Sequence, residues 1–231
     1  MDDVSSHIGR HPAALGLLST TACSCLFVTL AIGVLAEGPL VSFDRSTAEI
    51  LHTYASETSG LTDFIRVVSI PGSLVALALV GVLVALALLV QRKWVTLAAW
   101  LVAVLGGEAL NLLLKNLFAR PRPSFEHPLV VETSYSFPSG QAMESLVVYG
   151  MLAYFAGLTL GSRSTRAVSI SGVVLIVILI GFSRVYLGAH YVSDVVGGFA
   201  AGGAWLGAVI TAWEAVRRRD TANRRDQVNS L

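Results

Sequence analysis

The chain has 231 residues, of which 54% are hydrophobic and only 13% charged, about half the roughly 25% charge of soluble domains. A net charge of +1 leaves no basic footprint for nucleic acid, which is excluded as a partner. With a mean hydropathy of +0.70 the solvent of this chain is lipid, and its length suits a single integral-membrane domain over residues 1–231.

A hydrocarbon core is crossed by about 20 apolar residues, within a range of roughly 17–25. Six stretches qualify: residues 13–36, 67–90, 94–114, 145–162, 167–183 and 195–213. They predict an all-α polytopic membrane protein with six transmembrane helices in one bundle. The first stretch is longer than the 7–15 residues of a cleavable signal core and reads as a retained span. Its two cysteines, Cys23 and Cys25, point to different sides of a helix and read as small apolar fillers.

Between the first two spans, residues 43–57 carry Phe43, Ile50, Leu51 and Tyr54 at roughly helical spacing among charges. That pattern fits an interfacial helix or a lid packed on the bundle. His52 within it reads as a surface histidine. In the third span Glu108, Asn111 and Lys115 fall on one helix face. Glu108 either supports the lysine or pairs with another helix.

The fourth span is expected to begin at the Pro138-Ser139-Gly140 turn, since Pro favours helix starts and the turn leaves N–H groups free. Glu144, one turn beyond Gln141, either points toward a site or lines a headgroup pocket. In the sixth span Gly198 with Gly202, and Gly203 with Gly207, have small-xxx-small spacing. Close packing within the bundle and dimerisation both fit, so the oligomeric state stays open.

Lys and Arg gather in the second connection (Arg92, Lys93), the fourth (Arg163, Arg166) and the tail (Arg217, Arg218, Arg219, Arg224, Arg225), with Arg10 before the first span. The positive-inside rule makes that side cytoplasmic, with both termini and a flexible tail from about residue 217. Residues 37–66, 119–137 and 187–190 then face the extracytoplasmic side. The pattern is compatible with a bacterial inner membrane.

Nearly all unusual polar residues lie in three segments at the extracytoplasmic helix ends: residues 115–123 (KNLFARPRP), 138–141 (PSGQ) and 183–194 (SRVYLGAHYVSD). Charges at membrane depth are costly and mark function. Lys115, Arg122 and Arg184, with the Ser139 hydroxyl and the Ser139 and Gly140 N–H groups, make an anion cradle suited to a phosphoryl group. His190 and Asp194 are four apart. On a helix they share a face, and the carboxylate would hold one ring N–H while turning the other nitrogen outward as nucleophile or base.

These three segments resemble the signature of the type 2 phosphatidic acid phosphatase superfamily. It reads Lys, six residues, Arg-Pro; Pro-Ser-Gly-His; and Ser-Arg, five residues, His, three residues, Asp. Lys115, Arg122, Pro123, Pro138, Ser139, Gly140, Ser183, Arg184, His190 and Asp194 match it. The resemblance implies a metal-free, cofactor-free phosphatase of lipid phosphates held in the bilayer. It implies that His190 attacks phosphorus and Asp194 orients it. Lys115, Arg122, Ser139, Gly140 and Arg184 would hold the phosphate.

The match fails at Gln141, where the family has the histidine that protonates the leaving oxygen. An amide has no proton to give near neutral pH, so the enzyme is expected to be disabled or weakened. Either Gln141 is a deliberate replacement made to trap substrate, the favoured reading because the rest of the signature is intact, or it is natural and marks a weak enzyme or a lipid-phosphate binder. Expected substrates are phosphatidylglycerol phosphate, phosphatidic acid or a polyprenyl pyrophosphate. A non-catalytic binder or translocating protein, and a phosphotransferase, are the alternatives.

Overall fold

The computed structural model describes the backbone of residues 12–229 and the side chains of residues 16–218. Arg10 and the side chains of Arg219, Arg224 and Arg225, used above for orientation, lie outside the described residues. The helices are α1 (Pro12–Leu35), α2 (Pro39–Glu57), α3 (Ser59–Ser69), α4 (Leu74–Val90), α5 (Trp94–Phe118), α6 (Gly140–Thr159), α7 (Arg163–Tyr186) and α8 (Val192–Asn229). No strand occurs among the described residues.

Among the described residues six helical stretches are long and apolar enough to span: Gly16–Leu35, Ser59–Val90, Trp94–Phe118, Gly140–Thr159, Arg163–Tyr186 and Val192–Arg218. The chain is an integral membrane protein, all-α as its composition requires. Its surface is correspondingly apolar: Val75 is 79% exposed and Val90 81%, which lipid tolerates and water would not.

The second span departs from the continuous helix expected over residues 67–90. A 3-10 turn over Ile70–Gly72 contains Pro71, which lacks the N–H needed to continue the ladder. Ser73 restarts the chain as α4, its hydroxyl accepting the Ala76 N–H at 3.2 Å. The 17 residues of α4 reach about 25 Å at 1.5 Å each, so α3 is free to lie against α7.

The connection before it also differs in which face is buried. On α2 the bundle side is Val41, Asp44, Ala48 and Ala55, whereas Phe43, Ile50 and Tyr54 are exposed. The helix therefore packs on the bundle with one face and offers its large apolar side chains outward with the other. His52 is not a plain surface residue, because its ring stacks on Phe125 at 3.8 Å.

The core lies between α4, α5, α6 and α8. Trp100 is fully buried there with Val147, Val148, Met151 and Trp213, and its indole N–H reaches Gly81 O on α4 at 2.9 Å. The α8 backbone presses on α6 at two glycines. A Cβ on Gly198 would stand 2.6 Å from Ser139 O, and one on Gly202 would stand 2.8 Å from Met143 O. Gly203 and Gly207 meet Cys23 and Thr20 of α1. Both glycine pairs are thus used inside the bundle. Cys23 packs there, while Cys25 is exposed, and both are free thiols.

Candidate active site

The C-terminal ends of α5 and α7 and the N-terminal ends of α6 and α8 meet at one end of the bundle, where residues 119–139 cross as a non-helical loop. Phe137 anchors this loop. It is fully buried, stacked on Phe27 at 5.6 Å and edge-on to Phe118 at 5.0 Å. The loop is also tied by Ser136 N–H to Arg120 O at 2.9 Å and by Arg122 Nε to Ser134 O at 2.6 Å.

His190 is 2% exposed and sits in the turn between α7 and α8. Contrary to the sequence reading, His190 and Asp194 are not paired along one helix: α8 starts at Val192, with Asp194 in its first turn. The Asp194 carboxylate instead closes that turn by accepting Tyr191 N–H at 2.8 Å. His190 Nδ1 lies 3.5 Å from Asp194 Oδ2 and 3.4 Å from Ser136 Oγ, and Ser136 donates its hydroxyl to the same Oδ2.

On the other side of the ring, Arg122 donates to Nε2 at 3.1 Å. A guanidinium cannot accept, so Nε2 carries the lone pair and Nδ1 the hydrogen. Burial pushes the imidazole down to about 4; Asp194 pulls it back only in part, and Arg122 and Lys115 add to the depression. The ring is therefore neutral at pH 7, with its Nε2 lone pair held toward Arg122 on the cationic side of the site.

Lys115 is buried and donates to Tyr135 O, with the Ser134 hydroxyl 3.5 Å away. Arg184 is 4% exposed and binds Glu132 Oε1 at 2.5 Å and Ser69 Oγ at 3.3 Å, while its buried Nε has no partner among the described residues. Arg122 lies 3.9 Å from the other oxygen of Glu132. One loop carboxylate is thus shared by two of the three expected cations.

A cavity of about 430 Å³ opens on this end. Lys115, Arg122, Gly140, Gln141, His190 and Glu132 line its polar end, and α4 and α5 form its apolar walls down to Trp100. Lys115 and Trp100 are about 22 Å apart along the helix axis at 1.5 Å per residue. Leu74 and Leu105, both in the wall, are 71% and 64% exposed, so the cavity is open sideways to lipid between α4 and α5.

Two expected cradle groups are placed differently. The Ser139 N–H is not free; it donates to Asp194 O at 2.9 Å. The Ser139 hydroxyl is buried with no partner among the described residues, yet Ser139 is not in the cavity wall, and Gly140 takes that place. Arg184 reaches the cavity only through Glu132.

The residues that sequence reasoning missed form a second layer beneath His190. Arg120, 6% exposed, donates to Asp194 Oδ1 at 2.5 Å, to Ser193 Oγ at 2.8 Å and to Asp44 Oδ2 at 2.8 Å. Asp44 also accepts the Ser193 N–H at 3.0 Å. Burial works against the Arg120 charge, but Asp194 and Asp44 outweigh it and hold the guanidinium above its ordinary range. One signal was available: Asp44 shares the small-residue stripe of Val41, Ala48 and Ala55, where a charge needs a partner.

The PAP2 superfamily profile matches residues 96–218. Phosphatidylglycerophosphatase B of Bacillus subtilis is 48% identical over 95 residues, which are 40% of this chain and 46% of that protein. Decaprenylphosphoryl-5-phosphoribose phosphatase of Mycobacterium tuberculosis (strain H37Rv) is 35% identical over 128 residues, 52% of this chain and 64% of that one. The matches thus span between about half and two thirds of these curated relatives. The crystal structure of a transmembrane PAP2 type phosphatidylglycerolphosphate phosphatase from Bacillus subtilis superposes with a TM-score of 0.76 at 30% identity, covering 86% of this chain and 97% of that one. With the profile spanning more than half of its length and a solved relative covered almost end to end, the chain belongs to the PAP2 superfamily.

Proposed function

We propose that the chain is a metal-independent lipid phosphatase acting at the extracytoplasmic face, with both termini cytoplasmic, through a phosphohistidine on His190. The observation that carries this is a neutral, buried His190 whose Nε2 lone pair faces Arg122, at the cationic end of a cavity open to lipid. A lipid phosphate enters sideways between α4 and α5 with its chain in the apolar groove. Its phosphoryl oxygens meet Lys115, Arg122 and the start of α6 at Gly140, and take Arg184 from Glu132. His190 Nε2 then forms the bond to phosphorus while the bond to the lipid oxygen breaks, and the lipid leaves as an alkoxide that takes a proton from water, or as the shorter phosphate. Asp194 stabilises the charge that grows on the ring. Water hydrolyses the phosphohistidine, which returns inorganic phosphate and free His190.

By the signature, Gln141 takes the place of the residue that protonates the leaving oxygen, which weakens this step without removing the nucleophile. A binder reading rests on that residue alone. The test is phosphate release from a panel of lipid mono- and pyrophosphates, together with labelling of the protein by a radioactive terminal phosphate. His190→Ala is expected to abolish both while leaving the fold intact. Full turnover in a folded His190→Ala protein would sink the phosphohistidine route. Transfer of label to an acceptor lipid rather than water would mark a phosphotransferase.

Glu132→Gln gives a further check. Its carboxylate holds Arg184 at 2.5 Å, so phosphate must compete with it. The neutral amide is expected to tighten product inhibition by inorganic phosphate several-fold. An unchanged inhibition constant would show that phosphate does not use Arg184.

A further inference from the structure

Below its cationic end the cavity carries a second polar cluster that phosphate chemistry leaves unused. Asn111 lies one turn below Lys115 on α5, and Glu108 lies about 10 Å below it. Glu144 comes from α6 at the level of Gly107, where a Cβ would stand 3.4 Å from its Oε1. All three residues line the cavity. Glu144 is 7% exposed and Asn111 4%, and among the described residues neither Glu144 Oε1 nor Asn111 Oδ1 has a hydrogen-bond partner.

Buried polar atoms left without partners are costly, and native structures keep few of them without a reason. Here the unpaired oxygens belong to residues that line a space large enough for a ligand, and each can accept a hydrogen bond. Acceptors in an apolar-walled cavity select a ligand that brings donors and reject one that brings hydrocarbon or a further anion. Their depth fixes which part of the ligand that is. They lie between the phosphate position at Lys115 and the groove at Trp100, where the alcohol that carries the phosphate must sit.

We propose that Glu108, Asn111 and Glu144 form a subsite for the hydroxyl groups of a polyol, a glycerol or sugar that links the scissile phosphate to the lipid. This rests on the lipid-phosphate reading above and narrows its substrate class. Phosphatidate offers no free hydroxyl there. A polyprenyl pyrophosphate places a second phosphoryl group near two carboxylates.

The test compares kcat/KM on phosphatidylglycerol phosphate, phosphatidate and a polyprenyl pyrophosphate for the intact protein, Glu144→Gln and Glu144→Leu. The Gln variant keeps an acceptor at 144, and the Leu variant keeps the volume and removes the acceptors of that side chain. The intact protein is expected to prefer the hydroxyl-bearing lipid. Glu144→Leu is expected to shrink that preference by about ten- to a hundredfold, the usual effect of deleting a partner of a buried hydroxyl, and Glu144→Gln by less. Equal loss on all three lipids, or no preference in the intact protein, overturns the subsite. Binding of the same lipids to His190→Ala is measured in parallel. If no variant releases phosphate from any lipid even with Gln141→His added, the phosphatase reading fails, and the order of binding affinities still decides for or against the subsite.

Discussion

Gln141→His is expected to raise phosphate release from lipid monophosphates by about 10²–10⁴-fold, the typical worth of a general acid. The increase should be much smaller on a lipid pyrophosphate. A monophosphate ester must expel an alkoxide, which needs a proton as the bond breaks. A pyrophosphate expels a phosphate that is already a stable anion. Gln141 lines the same cavity wall as His190, and the Ser69 hydroxyl lies 3.5 Å from its Oε1. An imidazole at this position would share the cavity with the nucleophile and have Ser69 within reach to orient it. Measured as kcat on matched mono- and pyrophosphates, the ratio of the two gains separates acid catalysis from a general improvement in folding. Equal gains on both substrates would mean that residue 141 positions the lipid instead of protonating it. No gain on either would leave Gln141 as a residue fitted to binding and give weight to the binder reading.

Span positions were legible in the sequence because hydrocarbon imposes one rule on every spanning residue, and a 20-residue apolar run obeys it without help from tertiary contacts. The interruption at Pro71 was legible in kind but not in consequence, since whether a helix kinks or restarts depends on what it packs against. The first layer of the candidate site was legible for another reason. Lys115, Arg122, Arg184 and His190 are charged or titratable at membrane depth, so each already stands out.

What the sequence hid was how these groups share partners. Glu132 lies in a loop that folds back over the site, and nothing local marks it as the carboxylate between Arg122 and Arg184. Ser139 looked like a cradle donor, but its N–H is committed to Asp194 O because Gly198 lets α8 approach the start of α6. Glycine spacing predicted close packing; only the fold shows that this packing fixes the height of Asp194 against the Pro138-Ser139-Gly140 turn.

Arg120→Met is expected to be the most damaging change outside the residues that touch phosphate. Arg120 is the only described cation paired with either Asp44 or Asp194, both fully buried. Removing one partner of a buried charge network typically costs about 3–5 kcal/mol, because it strands uncompensated charge. Here two carboxylates are stranded and repel. Asp194 would turn away from Arg120 or take up a proton, and either change loosens the hold on His190. Turnover should therefore collapse with the thermal midpoint. Arg120→Lys is the sharper variant, since one ammonium cannot span Asp44 and Asp194 with the two-armed geometry of a guanidinium. It is expected to keep most of the stability while losing kcat by at least tenfold. KM should change little, because Lys115, Arg122 and the apolar groove that bind the lipid are untouched. Asp44→Asn should fall between the two, and the double variant with Arg120→Lys should lose less than the sum of the single losses if the two residues act as one unit. Additive losses, or an Arg120→Lys protein with wild-type kcat, would mean that the network under His190 holds α2 to the bundle and has no part in positioning the nucleophile.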